Sequence, residues 1–119
     1  MEHEWKRDRY TISTDRRRLD LDAIYGFLVR SYWAEGIPRA VVARSIDHSL
    51  CFGLYEDDRQ IGFARAITDG ATFAYLADVF VLEAHRGRGL GVFLMESVMA
   101  HPALQCEDAD GAHDALASA

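Results

Sequence analysis

The sequence predicts a single α/β domain of the mixed, α+β kind, and three observations carry that reading. Apolar residues recur at helical spacing from Leu21 to Tyr32 and again from Leu90 to Val98. Between those stretches lie three apolar runs separated by turn signals. The last of the runs opens directly into a glycine-rich loop. A chain of 119 residues, half of them hydrophobic, suits one domain and can build a packed core.

Taken in order, Tyr10–Ser13 reads as a short first strand. Asp20 or Asp22 can accept from free amides and open a helix, and Leu21, Ile24, Tyr25, Leu28 and Tyr32 then mark its buried stripe. Gly36 ends that region. Pro38 fits the first turn of a second helix, where its missing N–H costs nothing, with Val41, Val42 and Ile46 on the buried side. Leu50–Tyr55 and Gln60–Thr68 read as strands joined at Asp57-Asp58, and Asp69-Gly70 signals the turn into the next. Thr72–Leu82 is nearly all apolar, the composition of a strand covered on both faces. Glu83–Arg88 is a polar loop, and Leu90, Phe93, Leu94, Ser97 and Val98 repeat as a third helix that His101-Pro102 closes. The domain occupies residues 1–105. Cys106–Ala119 is acidic, small and without periodicity, and reads as a loose tail.

Composition excludes several classes. A formal charge of −6 argues against a nucleic-acid partner. The one basic run, Arg16-Arg17-Arg18, reads as a solvated loop in preference to an anion contact. No apolar run approaches a membrane span, and the charged start Met1-Glu2-His3-Glu4-Trp5-Lys6 is no secretory signal, so a cytoplasmic protein is expected. Cys51 reads as a small core residue and Cys106 as part of the tail, with no disulfide framework. The five histidines lack metal-ligand spacing, so no metal is expected.

The chemistry-bearing stretch is Val79-Phe80-Val81-Leu82-Glu83-Ala84-His85-Arg86-Gly87-Arg88-Gly89-Leu90-Gly91. A buried strand runs into a glycine loop, and the loop opens a helix. Helix N-termini carry unpaired N–H groups and partial positive charge, and glycines remove the side chains that would keep a phosphate away. Arg86 and Arg88 add cations. The spacing Gly87-x-Gly89-x-Gly91 departs from the dinucleotide fingerprint, and no Lys-Ser/Thr pair follows as in a nucleotide-triphosphate loop.

Phe80-x-x-x-x-His85-Arg86-Gly87-Arg88-Gly89-Leu90-Gly91 resembles motif A of the GNAT superfamily, Gln/Arg-x-x-Gly-x-Gly/Ala, with Arg86, Gly89 and Gly91 at the signature positions. Ser31-Tyr32-Trp33-Ala34-Glu35-Gly36 and Leu76-Ala77-Asp78-Val79-Phe80-Val81 look like a subgroup of small, single-domain members. The resemblance covers about Tyr10 to Gln105. It implies the acyl-CoA N-acyltransferase fold: a mixed, mostly antiparallel sheet with helices on both faces. It implies transfer of acetyl from acetyl-CoA to a primary amine of a small molecule or peptide. In that family loop amides bind the pyrophosphate of coenzyme A, and the edge of the preceding strand bonds the pantetheine arm. By resemblance these roles fall to Arg86, Gly87, Arg88, Gly89, Leu90 and Gly91, and to Phe80 and Val81.

Asp78 is a carboxylate in an apolar strand and is the candidate general base. Tyr25, Tyr32 and Trp33 occupy the region where the family builds its acceptor pocket. Members continue with a fifth strand and a further helix. Here the pattern stops near Gln105 with the last strands missing, and no tyrosine follows Tyr75, as in a truncated or frameshifted end. That departure keeps open a second reading, a catalytically impaired coenzyme-binding or interaction module. It also leaves Thr72–Leu82 as an open apolar edge, which is expected to pair as a homodimer.

Overall fold

The computed structural model describes residues 2–30, 36–108 and 111–114, the last strands as backbone only. Five strands form one antiparallel sheet in chain order: β1 (Glu4–Arg7), β2 (Tyr10–Ser13), β3 (Leu50–Glu56), β4 (Arg59–Thr68) and β5 (Ala74–Val81). Two helices, α1 (Leu21–Arg30) and α2 (Arg39–Asp47), interrupt the run between β2 and β3, and α3 (Leu90–Ala100) follows β5. The sheet is covered on both sides, as expected. On one face Leu90, Phe93, Leu94 and Val98 of α3 pack against Ile12, Phe52, Leu54 and Ala64. On the other, Ile24 and Leu28 of α1 and Val42 and Ile46 of α2 pack against Cys51, Phe63 and Phe80. Each of the valine, leucine, isoleucine and phenylalanine side chains contributes roughly 1.5–3 kcal/mol on burial.

Local chemistry accounts for the helix starts. Asp20 Oδ1 accepts from Ala23 N at 3.1 Å, so Asp20 is the residue that opens α1. Pro38 stands one place before α2, and its carbonyl accepts from Val41 and Val42. Val42 and Ile46 are buried as expected, but Val41 is 39% exposed and leaves the apolar stripe. The turn at Asp69-Gly70 is longer than a two-residue hairpin: residues 69–73 connect the strands, so β5 begins at Ala74.

Three strands lie outside the sequence reading. β1 is an edge strand of three charged residues and Trp5, whose ring centroid lies 6.0 Å from that of Phe52. Its pairing with β2 is a matter of backbone, which a mostly charged pattern conceals. Beyond α3, the backbone of β6 (Gln105–Asp108) pairs antiparallel with β7 (Gly111–Asp114) as a separate hairpin, where no periodicity marks a strand.

Although its composition is that of a sheet centre, β5 is the last strand of the sheet, and among the described residues nothing pairs with its outer side. Tyr75 is 55% and Val79 45% exposed. The register against β4 jumps by one residue between Arg65 and Ala66, leaving Ala77 without an opposite number. That bulge sets Asp78 directly across from Arg65 and Phe80 across from Phe63.

Candidate functional site

The passage from β5 to α3 is pinned by backbone bonds. Leu82 N donates to Ile61 O (2.8 Å), His85 N to Leu82 O (2.9 Å) and Arg86 N to Glu83 O (3.2 Å), the last two closing a 3-10 turn at Glu83–His85. Gly62 faces Val81 across the ladder, and a Cβ there would meet the Phe80 carbonyl at 2.9 Å, so only glycine lets β4 and β5 approach at this point. Gly87 and Gly89 then take φ of +84° and +74°, a left-handed backbone that costs other residues roughly 1–2 kcal/mol.

Gly89 caps α3 and offers no side-chain acceptor to the first amides of the helix. A Cβ added at Gly87, Gly89 or Gly91 would meet nothing within 4 Å. The result is an open surface at a helix N-terminus, with bare donors and partial positive charge. It has the room and the donors that a diphosphate requires.

The side chains of the segment divide into those facing the core and those at its rim. Leu90 is 2% exposed and belongs to the core under α3. Phe80 is likewise buried, stacked on Phe27 at 3.9 Å and tilted against Phe63 at 5.9 Å, so its backbone is what remains for a ligand. Val81 is half-buried. Exposed Arg86 donates from Nε to the Val81 carbonyl at 3.0 Å. Arg88 donates to the Tyr10 hydroxyl at 3.1 Å and lies 3.7 Å from Glu56 Oε2. His85, in a stretch that reads as polar loop, is buried with Nε2 3.4 Å from Glu56 Oε1. Glu56 and Tyr10 thus belong to this region, although neither stands out in the sequence.

Asp78 lies further back on β5, about 10 Å along the strand from Val81. Its Oδ2 accepts from Arg65 Nε at 2.7 Å, and Arg65 Nη1 donates to Ser49 Oγ at 3.0 Å. Both charged side chains are mostly buried. Tyr25 donates its hydroxyl to the Ile37 carbonyl at 3.1 Å and packs on the α1–α2 side of the core. Tyr32 and Trp33 lie outside the described residues.

Other sequence features resolve into structural roles. Arg17 pairs with Asp15 at 3.0 Å, Arg18 with Glu4 at 3.0 Å, and Arg16 donates to the Ser49 carbonyl at 2.8 Å, so the basic run is occupied by protein partners. A hollow of about 400 Å³, lined by Arg16, Ser49, Cys51, Thr68 and Asp69 among others, sits at the opposite end of β3 and β4 from the glycine loop. Burial pushes the Cys51 thiol up to about 11, which keeps it protonated and unreactive.

A helix-covered antiparallel sheet whose edge strand runs into a glycine-lined helix N-terminus is the architecture of the acyl-CoA N-acyltransferases. The profile of the acetyltransferase (GNAT) family matches residues 4–107, and the chain belongs to that family. A relative from Gibberella zeae, an acetyltransferase by name alone, is 35% identical over 112 residues, taking in 77% of this chain and 63% of the relative. The chain therefore spans less than two thirds of that relative's length. The crystal structure of a GNAT-family protein from Xanthomonas campestris pv. campestris is similar at 56% identity and a TM-score of 0.78, over 80% of this chain and 68% of that one. The PaiA N-acetyltransferase of Thermoplasma acidophilum, solved in complex with coenzyme A, shares the fold at 16% identity and a TM-score of 0.50, over 75% and 65% of the two chains. Among the described residues no helix is long and apolar enough to cross a membrane.

Proposed function

We propose that this chain binds acetyl-CoA along residues 80–91 and serves N-acetyl transfer to a primary amine of a small molecule or peptide. The observation that carries the reading is the open glycine surface at the start of α3, set at the end of a strand whose outer side is unpaired among the described residues. The amides of residues 87–91, with the Arg86 and Arg88 side chains beside them, hold the diphosphate, and the backbone of Phe80 and Val81 is left for the pantetheine arm. Bound acetyl-CoA supplies an activated thioester that an amine attacks, losing a proton as the thiolate departs.

Asp78 is assigned the proton-accepting role. Its carboxylate is held in place by the Arg65 guanidinium at 2.7 Å. Tyr25, Tyr32 and Trp33 are assigned to the acceptor side. A cytoplasmic setting is part of the reading and fits the free thiol of Cys51. So is a homodimer in which a second copy covers β5.

Calorimetric titration with acetyl-CoA tests the proposal, with saturable binding expected; none up to about millimolar, a binding energy near −4 kcal/mol, would refute it. The bond between Arg65 and Asp78 favours a second reading, a module that keeps the coenzyme without turnover. Binding without thioester loss across a broad amine panel would select that one. Asp78→Asn, which should abolish turnover and spare affinity, checks the base assignment.

A further inference from the structure

We propose that Glu56 is a positioning residue for the glycine loop, acting through Arg88 and His85. The inference rests on the coenzyme reading above for its consequence, and on ligand-free geometry for its mechanism.

Glu56 is the last residue of β3, set opposite Tyr10 on β2 and Arg59 on β4, so its backbone is held from both sides. Its two carboxylate oxygens reach in different directions. Oε1 lies 3.4 Å from Nε2 of His85, immediately before the loop's signature arginine. Oε2 lies 3.7 Å from Nη1 of Arg88, within the loop, and 3.7 Å from Nη1 of Arg9. Arg88 is held a second time by the Tyr10 hydroxyl. His85 is buried, its Nδ1 finds no hydrogen-bond partner, and Glu56 is its polar neighbour among the described residues. One carboxylate on a rigid strand thus restrains the two side chains that bracket Gly87.

That restraint matters because Gly87 and Gly89 are the residues whose freedom is costliest to remove. A loop whose amides must converge on one anion binds more tightly when the ordering is already done. Glu56 itself is no ligand for phosphate, since like charges repel. Its charge is balanced by Arg9 and Arg88, and it lies 21% exposed beside the loop.

The test uses the full chain with coenzyme A and, separately, inorganic pyrophosphate as probes. Glu56→Gln should weaken both about tenfold, with thermal stability nearly unchanged. The losses should not add: in an Arg88→Ala background the same substitution should cost at most about twofold more. Tyr10→Phe, which deletes only the second anchor of Arg88, should give a smaller loss of the same sign. In the ligand-free protein, Glu56→Gln should shift the His85 ring signals and speed amide exchange at Gly87 and Gly89. Unchanged affinity, or fully additive losses, would overturn the proposal. If the unsubstituted chain binds neither probe, the coenzyme reading fails instead, and the ligand-free signals alone decide: unaltered loop exchange in Glu56→Gln overturns the positioning role.

Discussion

Two glycine turns flank β5, and they do opposite things with the same backbone device. At residues 69–73, Gly70 takes φ of +77°, and the Asp69 carboxylate accepts from the amides of Ala71, Thr72 and Phe73 and from the Thr72 hydroxyl. Those bonds hold the Asp69 carboxyl far below its usual range. At residues 86–91, Gly87 and Gly89 turn the chain in the same way, yet the cap of α3 is a glycine with no side chain to offer. The first turn carries its own anion; the second has room for one from outside. A left-handed glycine makes a bend in both, and only the first has a carboxylate of its own to complete it.

Placing a carboxylate in the second turn should erase the difference. Gly91→Glu puts the charge in the first turn of α3 without left-handed strain, where the helix dipole favours it. Coenzyme A affinity should fall at least about 100-fold while the melting temperature holds or rises. Gly89→Glu should abolish binding as well, with an added cost from its φ. Calorimetry showing unchanged affinity in both would mean the loop is not the anion site.

A smaller change sharpens the contrast. Arg86→Ala should weaken coenzyme A about tenfold and pantetheine, which lacks phosphate, much less. Because Arg86 also donates to Val81, equal losses for both ligands would assign it to holding the strand end instead. In the first turn, Asp69→Ala should lower the melting temperature by a few degrees and leave coenzyme affinity alone. A parallel loss of affinity would show that the two turns are coupled through β5.

The least expected effect concerns pH. Burial, and then the neighbouring His3, hold the His101 imidazole below its ordinary value. The unfolded chain therefore takes up the proton first on acidification, so this stability is present above the unfolded value near 6.5 and is lost as pH falls through the lower folded value. Protonation would also remove the Nδ1 acceptor used by Ala103 N. Thermal melts from pH 7.5 to 5 should show a shallower decline in His101→Asn than in the unsubstituted chain; identical slopes would dismiss the contribution.

The elements that position the site were legible because they follow strong rules. Helical spacing marks α1 and α3, turn residues separate β3, β4 and β5, and glycines between strand and helix mark the loop. What sequence conceals is set by register. Tyr10 meets Glu56 only through β2–β3 pairing, and Asp78 meets Arg65 only because Ala77 bulges from β5. The carboxylate proposed to order the loop is thus some 30 residues away from it, at the end of a strand where acidic residues are common and say nothing. Gly62, by contrast, carries a reason that only the approach of the Phe80 carbonyl supplies.

The bond from Arg88 to Tyr10 joins residues 78 apart in the chain, and the contact from Arg7 to Glu96 joins residues 89 apart. Closing chains of that length costs more entropy than forming the nearer contacts of the meander and its helices, so these contacts are expected to form late. On that expectation the first hairpin docks among the last elements, and it is the one that anchors the arginine beside the glycine loop. A molecule caught before that step would have nearly all its secondary structure and an unset loop. Competence to take up an anion would then report that the amino-terminal hairpin has found its place, which makes ligand uptake a clock for the completion of folding.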